Sequence, residues 1–394
     1  MTIDNNRDSA ITSIYSPSTA PDLHAEYESL RAECPVVHSD DFGGFWSLMK
    51  YGDASKAIRD WKTYESGQPF VEYPSPNRPI PISTNPPEHT FYRKFLNHYF
   101  VADKVAAIRP DIERIVSEQL DPLIVAGGGD IYRDVARLVP PRVLARLLGL
   151  SADGWTSLAA TLAEADALRH DVKAFGARQA TLWDQAVNDL LSNRKRSPRD
   201  PEHDIMSGIL ALEPEGRPIS EEEAKSIATQ LFAAGADTTS SAMGSLAHYL
   251  ATHRDEQEHL RSNPEGLPAA IEEVLRLGPP IHQTVRRTTK PAMVRGVDIE
   301  EGQLVAINVA SANRDEEQFR CPHEVDLHRT RNPHLTFGFG PHMCVGAPVA
   351  REELRIFGEQ LLARTDAFSL VRPAVSAGRA LRTGWVSMEI EAHR

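Results

Sequence analysis

The chain has 394 residues, 41% of them hydrophobic, which is enough for a sizeable core in one large domain or several smaller ones. Its formal charge of -12 argues against general nucleic-acid binding, and no run of about 18 apolar residues marks a membrane-spanning helix. Three cysteines, Cys34, Cys321 and Cys344, cannot form a disulfide framework or a four-cysteine zinc site, and read as thiols in a reducing compartment.

The opening MTIDNNRDSAITSIYSPSTAP has neither the charged start nor the apolar core of a signal peptide. Residues 1–20 read as a flexible segment, and the expected location is the cytoplasm. With no repeat, low-complexity tract or charged linker, one domain over 1–394 is expected. DLHAEYESLRAECP predicts a helix, FGGFWSLMKYG a strand pair and DASKAIRDWKTY another helix. Seven prolines then fall between Ser66 and Pro87, so this stretch is a long loop, and loops of that length usually carry function.

From about 90 to 275 the pattern is helical. Ser220, with Glu223 three residues later, makes a capping box that opens a long helix running to about Thr252. Eleven of the thirteen residues from Ala233 to Ser245 are Gly, Ala, Ser or Thr, which lets something flat or large approach the backbone. Inside this run Asp237 and Thr238 sit side by side where neither is favoured by helix propensity. They mark either a solvated kink or packing seam, or a proton-delivery pair beside a cofactor. In AIEEVLRLGPP, Glu273 and Arg276 face one side of a helix and by themselves could be an ordinary surface ion pair. Arg329 is a second cation that could join the carboxylate.

After Pro279 the pattern turns extended in VRRTTKPAMVRGVDIEEGQLVAINV, with a Glu-Gly turn at 301–302. Then comes FGFGPHMCVGAP. Gly338, Gly340 and Gly346 permit tight geometry, and a helix predicted to start just after Cys344 favours a thiolate there. A phosphate loop of the G-x-G-x-x-G kind fails at Met343. A nucleophilic cysteine paired with His342 is the other rival, and a thiolate ligand to one metal centre fits best.

Phe337, Gly338, Gly340, His342, Cys344 and Gly346 spell F-G-x-G-x-H-x-C-x-G, which resembles the haem-binding loop of the cytochrome P450 family. AGADTT at 234–239 resembles that family's oxygen-binding helix, and Glu273-x-x-Arg276 its buried ion-pair helix. NPPEHTFYR and ANRD also fit, in the family's order, so the resemblance spans essentially the whole chain. It implies a mainly α fold with a small β portion: a single triangular domain with haem b buried between the long central helix and the cysteine loop. The implied activity is a monooxygenase that inserts one oxygen atom from O2 into a small hydrophobic substrate by hydroxylation or oxidative demethylation. A peroxide-driven peroxygenase and a non-enzymatic haem protein are the alternatives.

By the same matching, Cys344 supplies the axial thiolate, and Asp237 and Thr238 resemble the acid–alcohol pair that delivers protons. Gly235 would leave room for oxygen, with Ala234, Phe337, Gly338 and Gly346 against the haem. His89, Arg93, His342 and Arg286 match propionate contacts, while Glu273, Arg276 and Arg329 look structural. The pocket is expected from Phe70, Leu231, Phe232, Ile281, His282, Gln283 and Val285, with the proline-rich loop, the helices near 155–195 and the tail at 381–386. Asn85 stands where relatives commonly have Asp, a change of little expected consequence if it only caps a helix. The stretch after Gly346 is too short for a fused reductase, which implies a separate soluble ferredoxin and its reductase. They would dock on Arg93, Lys94, Lys104, Arg331 and Arg351. A monomer without nucleic-acid or membrane partners completes the expectation.

Overall fold

The strand Leu304–Asn308 reads L-V-A-I-N, is buried over most of its length, and lies at the middle of a five-stranded sheet. The strand order is Val36–Ser39, Phe45–Leu48, Leu304–Asn308, Gln283–Thr288, Tyr64–Glu65. Phe45–Leu48 runs parallel to Leu304–Asn308, and the remaining neighbours are antiparallel. Successive side chains alternate between faces. Val305 and Ile307 join Val36, Leu48, Ile58 and Leu335 on one face, while Ala306 and Val285 join Tyr27, Val37 and Phe45 on the other. With both faces buried, a one-residue slip would exchange the two cores, so the register is fixed.

This computed structural model describes residues 23–71, 78–151, 154–156, 158–159, 172–377 and 382–393. The expected flexible segment at 1–20, part of the proline-rich loop (72–77), much of the first half of 155–195, and Leu381 lie outside the described residues. The sheet belongs to the first of two compact units, drawn from the chain up to Thr90, Pro268–Val345 and the stretch ending at Gly384. FGGFWSLMKYG does not form the expected strand pair. Only Phe45–Leu48 is extended, and its antiparallel partner is Val36–Ser39 upstream. The two glycines make the turn itself, with Gly43 and Gly44 at φ 88° and 94°.

The second unit, from Phe91–Leu267, Gly346–Ala377 and Trp385 onward, is mostly helical. Its long helix is Glu221–Thr252, and its capping box is complete: Ser220 Oγ accepts from the Glu223 amide (3.2 Å) and Glu223 accepts from the Ser220 amide (2.9 Å). The Arg217 guanidinium bonds both Glu223 oxygens and holds that carboxyl down at about 2. The small-residue run splits in two. Its C-terminal half is buried against aromatic rings, since a Cβ on Gly244 would fall 2.6 Å from Trp385 and 2.9 Å from Tyr132. Only the N-terminal half opens, with Ala233 and Ala234 exposed. Helices dominate and strands are short, giving the mainly α fold with a small β portion. No described helix is long and apolar enough to cross a membrane.

Candidate active site

In the first unit, the loop carrying Cys344 is closed by backbone bonds. The Cys344 amide donates to the Phe337 carbonyl at 2.7 Å, and the Gly338 amide to Leu335 at 2.8 Å. Gly338 and Gly340 take φ of 68° and 67°, a region that an L side chain enters at a cost. A short 3-10 turn, Gly340–His342, then leads to Cys344, which is left exposed. Phe337 is half-buried, and Gly346 is the N-cap of helix Ala347–Ala363. The glycines therefore serve to present one sulfur.

Beside this loop the first unit places two imidazoles and a hydroxyl. His342 Nε2 lies 3.0 Å from Ser66 Oγ, and its ring centre is 4.0 Å from that of the buried His89. Arg93, one turn after His89 on helix Glu88–Tyr99, falls in the second unit. Arg286 is 7% exposed and donates to the Thr284 hydroxyl and the Val285 carbonyl, but no carboxylate pairs with it among the described residues. Burial pushes its pKa down to about 10. A buried, uncompensated guanidinium is costly, so these residues fit a group that brings anionic carboxylates, as haem propionates do.

Asn85 does more than cap a helix. Its Oδ1 accepts from the Ser66 amide (2.8 Å) and its Nδ2 donates to the Ser66 carbonyl (3.0 Å), tying together the two ends of the proline-rich loop. Aspartate has no amide hydrogen to donate to that carbonyl, so the change from the common residue is not neutral here.

Behind the cysteine loop, Arg276 binds both Glu273 oxygens at 2.8 Å. Arg329 Nε and Asn332 Nδ2 each add a bond at 2.9 Å, and the Asp326 amide one at 2.8 Å. Arg276 also donates to the carbonyls of Asn313, Pro322 and Glu324. Burial pushes the Glu273 carboxyl up, but the bonds from Arg276, Arg329 and Asp326 outweigh it and hold the pKa below the ordinary value.

In the second unit, the long helix carries Asp237, bonded through Oδ1 to Arg137 Nη1 at 2.6 Å. The Arg137 side chain is 2% exposed and that of Asp237 24%. The Thr238 hydroxyl donates back to the Ala234 carbonyl at 2.7 Å, so Ala234 and Thr238 share the open face of the helix. Gly235 does not leave room there. A Cβ on it would point at Leu144, 3.2 Å away, so the glycine lets helix Val139–Leu147 close on the long helix instead.

Two expected pocket residues are core residues. Phe232 has no accessible surface and stacks on Trp183 at 5.4 Å, and Val285 is 1% exposed in the sheet core. Side chains without accessible surface border no cavity. Gln283 falls on Val285's face by strand alternation, opposite Arg286. Leu231 is buried, while Phe70 and Ile281 keep partial exposure. His282 Nε2 lies 3.1 Å from Thr383 Oγ1. Arg137 and Asn332 were missed from sequence, and Ser66 and Thr383 were covered only as members of the proline-rich loop and the tail, because nothing local marks a residue whose partner is scores of positions away.

The family profile for Cytochrome P450 matches residues 169–371. Among similar proteins, the probable cytochrome P450 127A1 of Sinorhizobium fredii is 32% identical over 375 residues, covering 90% of this chain and 87% of its own. The 6-deoxyerythronolide B hydroxylase of Saccharopolyspora erythraea is 30% identical over 388 residues, covering 90% and 93%. The chain belongs to the cytochrome P450 family. Its fold agrees: cytochrome P450 CYP109Q5 of Chondromyces apiculatus superposes with a TM-score of 0.85 at 26% identity, covering 96% of this chain and 97% of that one. This cytochrome P450 is thus a haem-thiolate monooxygenase, an oxidoreductase that uses O2 and a small-molecule substrate, with haem b bound through a cysteine thiolate.

Proposed function

We propose that Cys344 is the thiolate ligand and that this P450 inserts one oxygen atom into a small hydrophobic substrate, by hydroxylation or oxidative demethylation. The observation that carries the reading is the closed loop that exposes one sulfur, together with the buried Arg286 that lacks a carboxylate. The bound haem supplies oxygen activation, which electron donation from the thiolate favours. Arg286, His89, His342 and Arg93 hold its propionates. Glu273, Arg276 and Arg329 brace the cysteine loop.

Asp237 is held by Arg137 yet its side chain stays 24% exposed, so it can exchange protons with water and pass them by way of the Thr238 hydroxyl. Thr238 keeps an acceptor lone pair while it donates to Ala234. A proton path of this kind favours O2 over peroxide as the oxidant.

Electrons come from a separate soluble ferredoxin and its reductase in the cytoplasm, to a monomeric enzyme. Lys104 already engages Glu202, which leaves the exposed Lys94 and Arg331 the stronger docking candidates of the set. The Saccharopolyspora relative is named a hydroxylase, which supports hydroxylation.

The test is the spectrum of the reduced, carbon monoxide-saturated protein. The wild type should show the red-shifted band of a thiolate-ligated haem and Cys344→Ser should lose it. An unchanged band in the variant would remove Cys344 from the role. Product formation from terpenoids and small aromatic compounds that displace the Soret band, with reduced ferredoxin and O2, then tests the reaction type.

A further inference from the structure

Three stretches far apart in sequence meet in the first unit around Arg382. Its guanidinium lies over the Phe70 ring, 4.7 Å from the ring centre. Its backbone forms an isolated bridge with Ile281. The next residue, Thr383, donates to the Pro279 carbonyl at 2.9 Å and lies 3.1 Å from His282 Nε2. The ring, the aliphatic side chain, the imidazole and the guanidinium thus come from positions 70, 281, 282 and 382.

Arg382 is half-buried, and among the described residues no carboxylate pairs with it and its guanidinium makes no hydrogen bond. Arg59, which lies over the Phe339 ring, likewise takes no carboxylate among the described residues. Other arginines, such as Arg217, Arg254 and Arg295, do take one. The contact with the ring takes up no hydrogen-bonding capacity of a carboxylate kind. The N–H donors of the guanidinium lie in the plane, as a fork that matches a carboxylate with two parallel bonds. Arg286 also lacks a carboxylate, but it is buried and tied to Thr284 and Val285, which suits a resident anion. Arg382 keeps its edge open, which suits an anion that arrives and leaves.

We infer that Arg382 recognises a carboxylate on the substrate, so that the substrates of this P450 are apolar monocarboxylic acids. The inference rests on the reading of Phe70, Ile281 and His282 as substrate-facing. Phe70 and Ile281 supply apolar contact next to the charged head group, and Phe70 holds the guanidinium in place. The Thr383–His282 pair fixes the segment that carries Arg382 against Pro279.

The test uses the haem-loaded protein, titrated with dodecanoic acid and with its methyl ester while the Soret band is followed. The wild type should bind the acid about tenfold more tightly than the ester, a preference of about 1.4 kcal/mol. Arg382→Gln keeps a flat polar end without the charge and should bring the acid to the level of the ester, with ester binding unchanged. Arg382→Lys should retain part of the preference. Raising the salt concentration on the wild type should weaken the acid and spare the ester, which keeps the test open even if a variant fails to fold. Equal binding of acid and ester, a preference that survives Arg382→Gln, or loss of haem in place of loss of selectivity would each overturn the proposal. If neither compound shifts the band, the carboxylate proposal fails, and the carbon monoxide spectrum then decides separately whether the haem-thiolate reading fails with it.

Discussion

Two arginine–carboxylate pairs in this P450 use the same chemistry in opposite ways. In the first unit, Glu273 is 1% exposed and both its oxygens are shared among Arg276, Arg329, Asn332 and the Asp326 amide. In the second, Asp237 is 24% exposed and is held by the buried Arg137 at 2.6 Å. A dry carboxylate with both oxygens multiply bonded has nowhere to move and no water to trade protons with. A carboxylate that keeps a quarter of its side-chain surface has water within reach. The first arrangement is a brace and the second a working group, although in sequence each is simply an acid in a helix.

The sharpest way to break that contrast is at the brace. Arg276→Ala would leave Glu273 buried and the carbonyls of Asn313, Pro322 and Glu324 without their donor, at a cost of about 3–5 kcal/mol. Urea unfolding and haem content measure it, and a variant that folds and holds haem normally would show that the network is not a brace. Next in size is Asp237→Asn, expected to lower product formation roughly 100-fold with the unfolding midpoint nearly unchanged. Equal turnover, or a large loss of stability, would make Asp237 another brace.

Asn85→Asp should cost about 1–3 kcal/mol, because the Ser66 carbonyl loses its donor and meets a carboxylate. Thermal unfolding measures this, and no change would mean that the clasp on Ser66 is incidental. The smallest effect is in acid. Glu273 has its pKa lowered by folding, so its stabilisation is complete above the unfolded glutamate value of roughly 4.3 and is lost as pH falls through the lower folded value. Glu273→Gln, whatever its stability at neutral pH, should therefore lose less on acidification than the wild type does. Parallel acid titrations of the two proteins would refute this.

Much of this was legible in the sequence wherever the signal was local. The capping box at Ser220, the glycines that turn the cysteine loop and the three-residue spacing of Glu273 and Arg276 depend on neighbours within one turn. Gly235 and Gly244 show where reading fails. Both sit in the same small-residue run, yet one admits Leu144 and the other Trp385 and Tyr132, because a helix position fixes which way a Cβ points but not what lies there. Phe232 and Val285 failed as pocket residues for a related reason: an apolar side chain suits a core and a pocket wall equally well.

The sequence by itself determined the family, the helix-rich class, the cysteine presented by glycines and the acid beside a hydroxyl, because each rests on short-range geometry and residue chemistry. Only the tertiary structure decided that Arg137 holds Asp237, that Asn85 clasps Ser66 and that Arg382 stacks on Phe70. Partners 100, 19 and 312 positions apart leave no trace in local spacing, since it is packing of the whole unit that brings them within a hydrogen bond or a ring's width of each other.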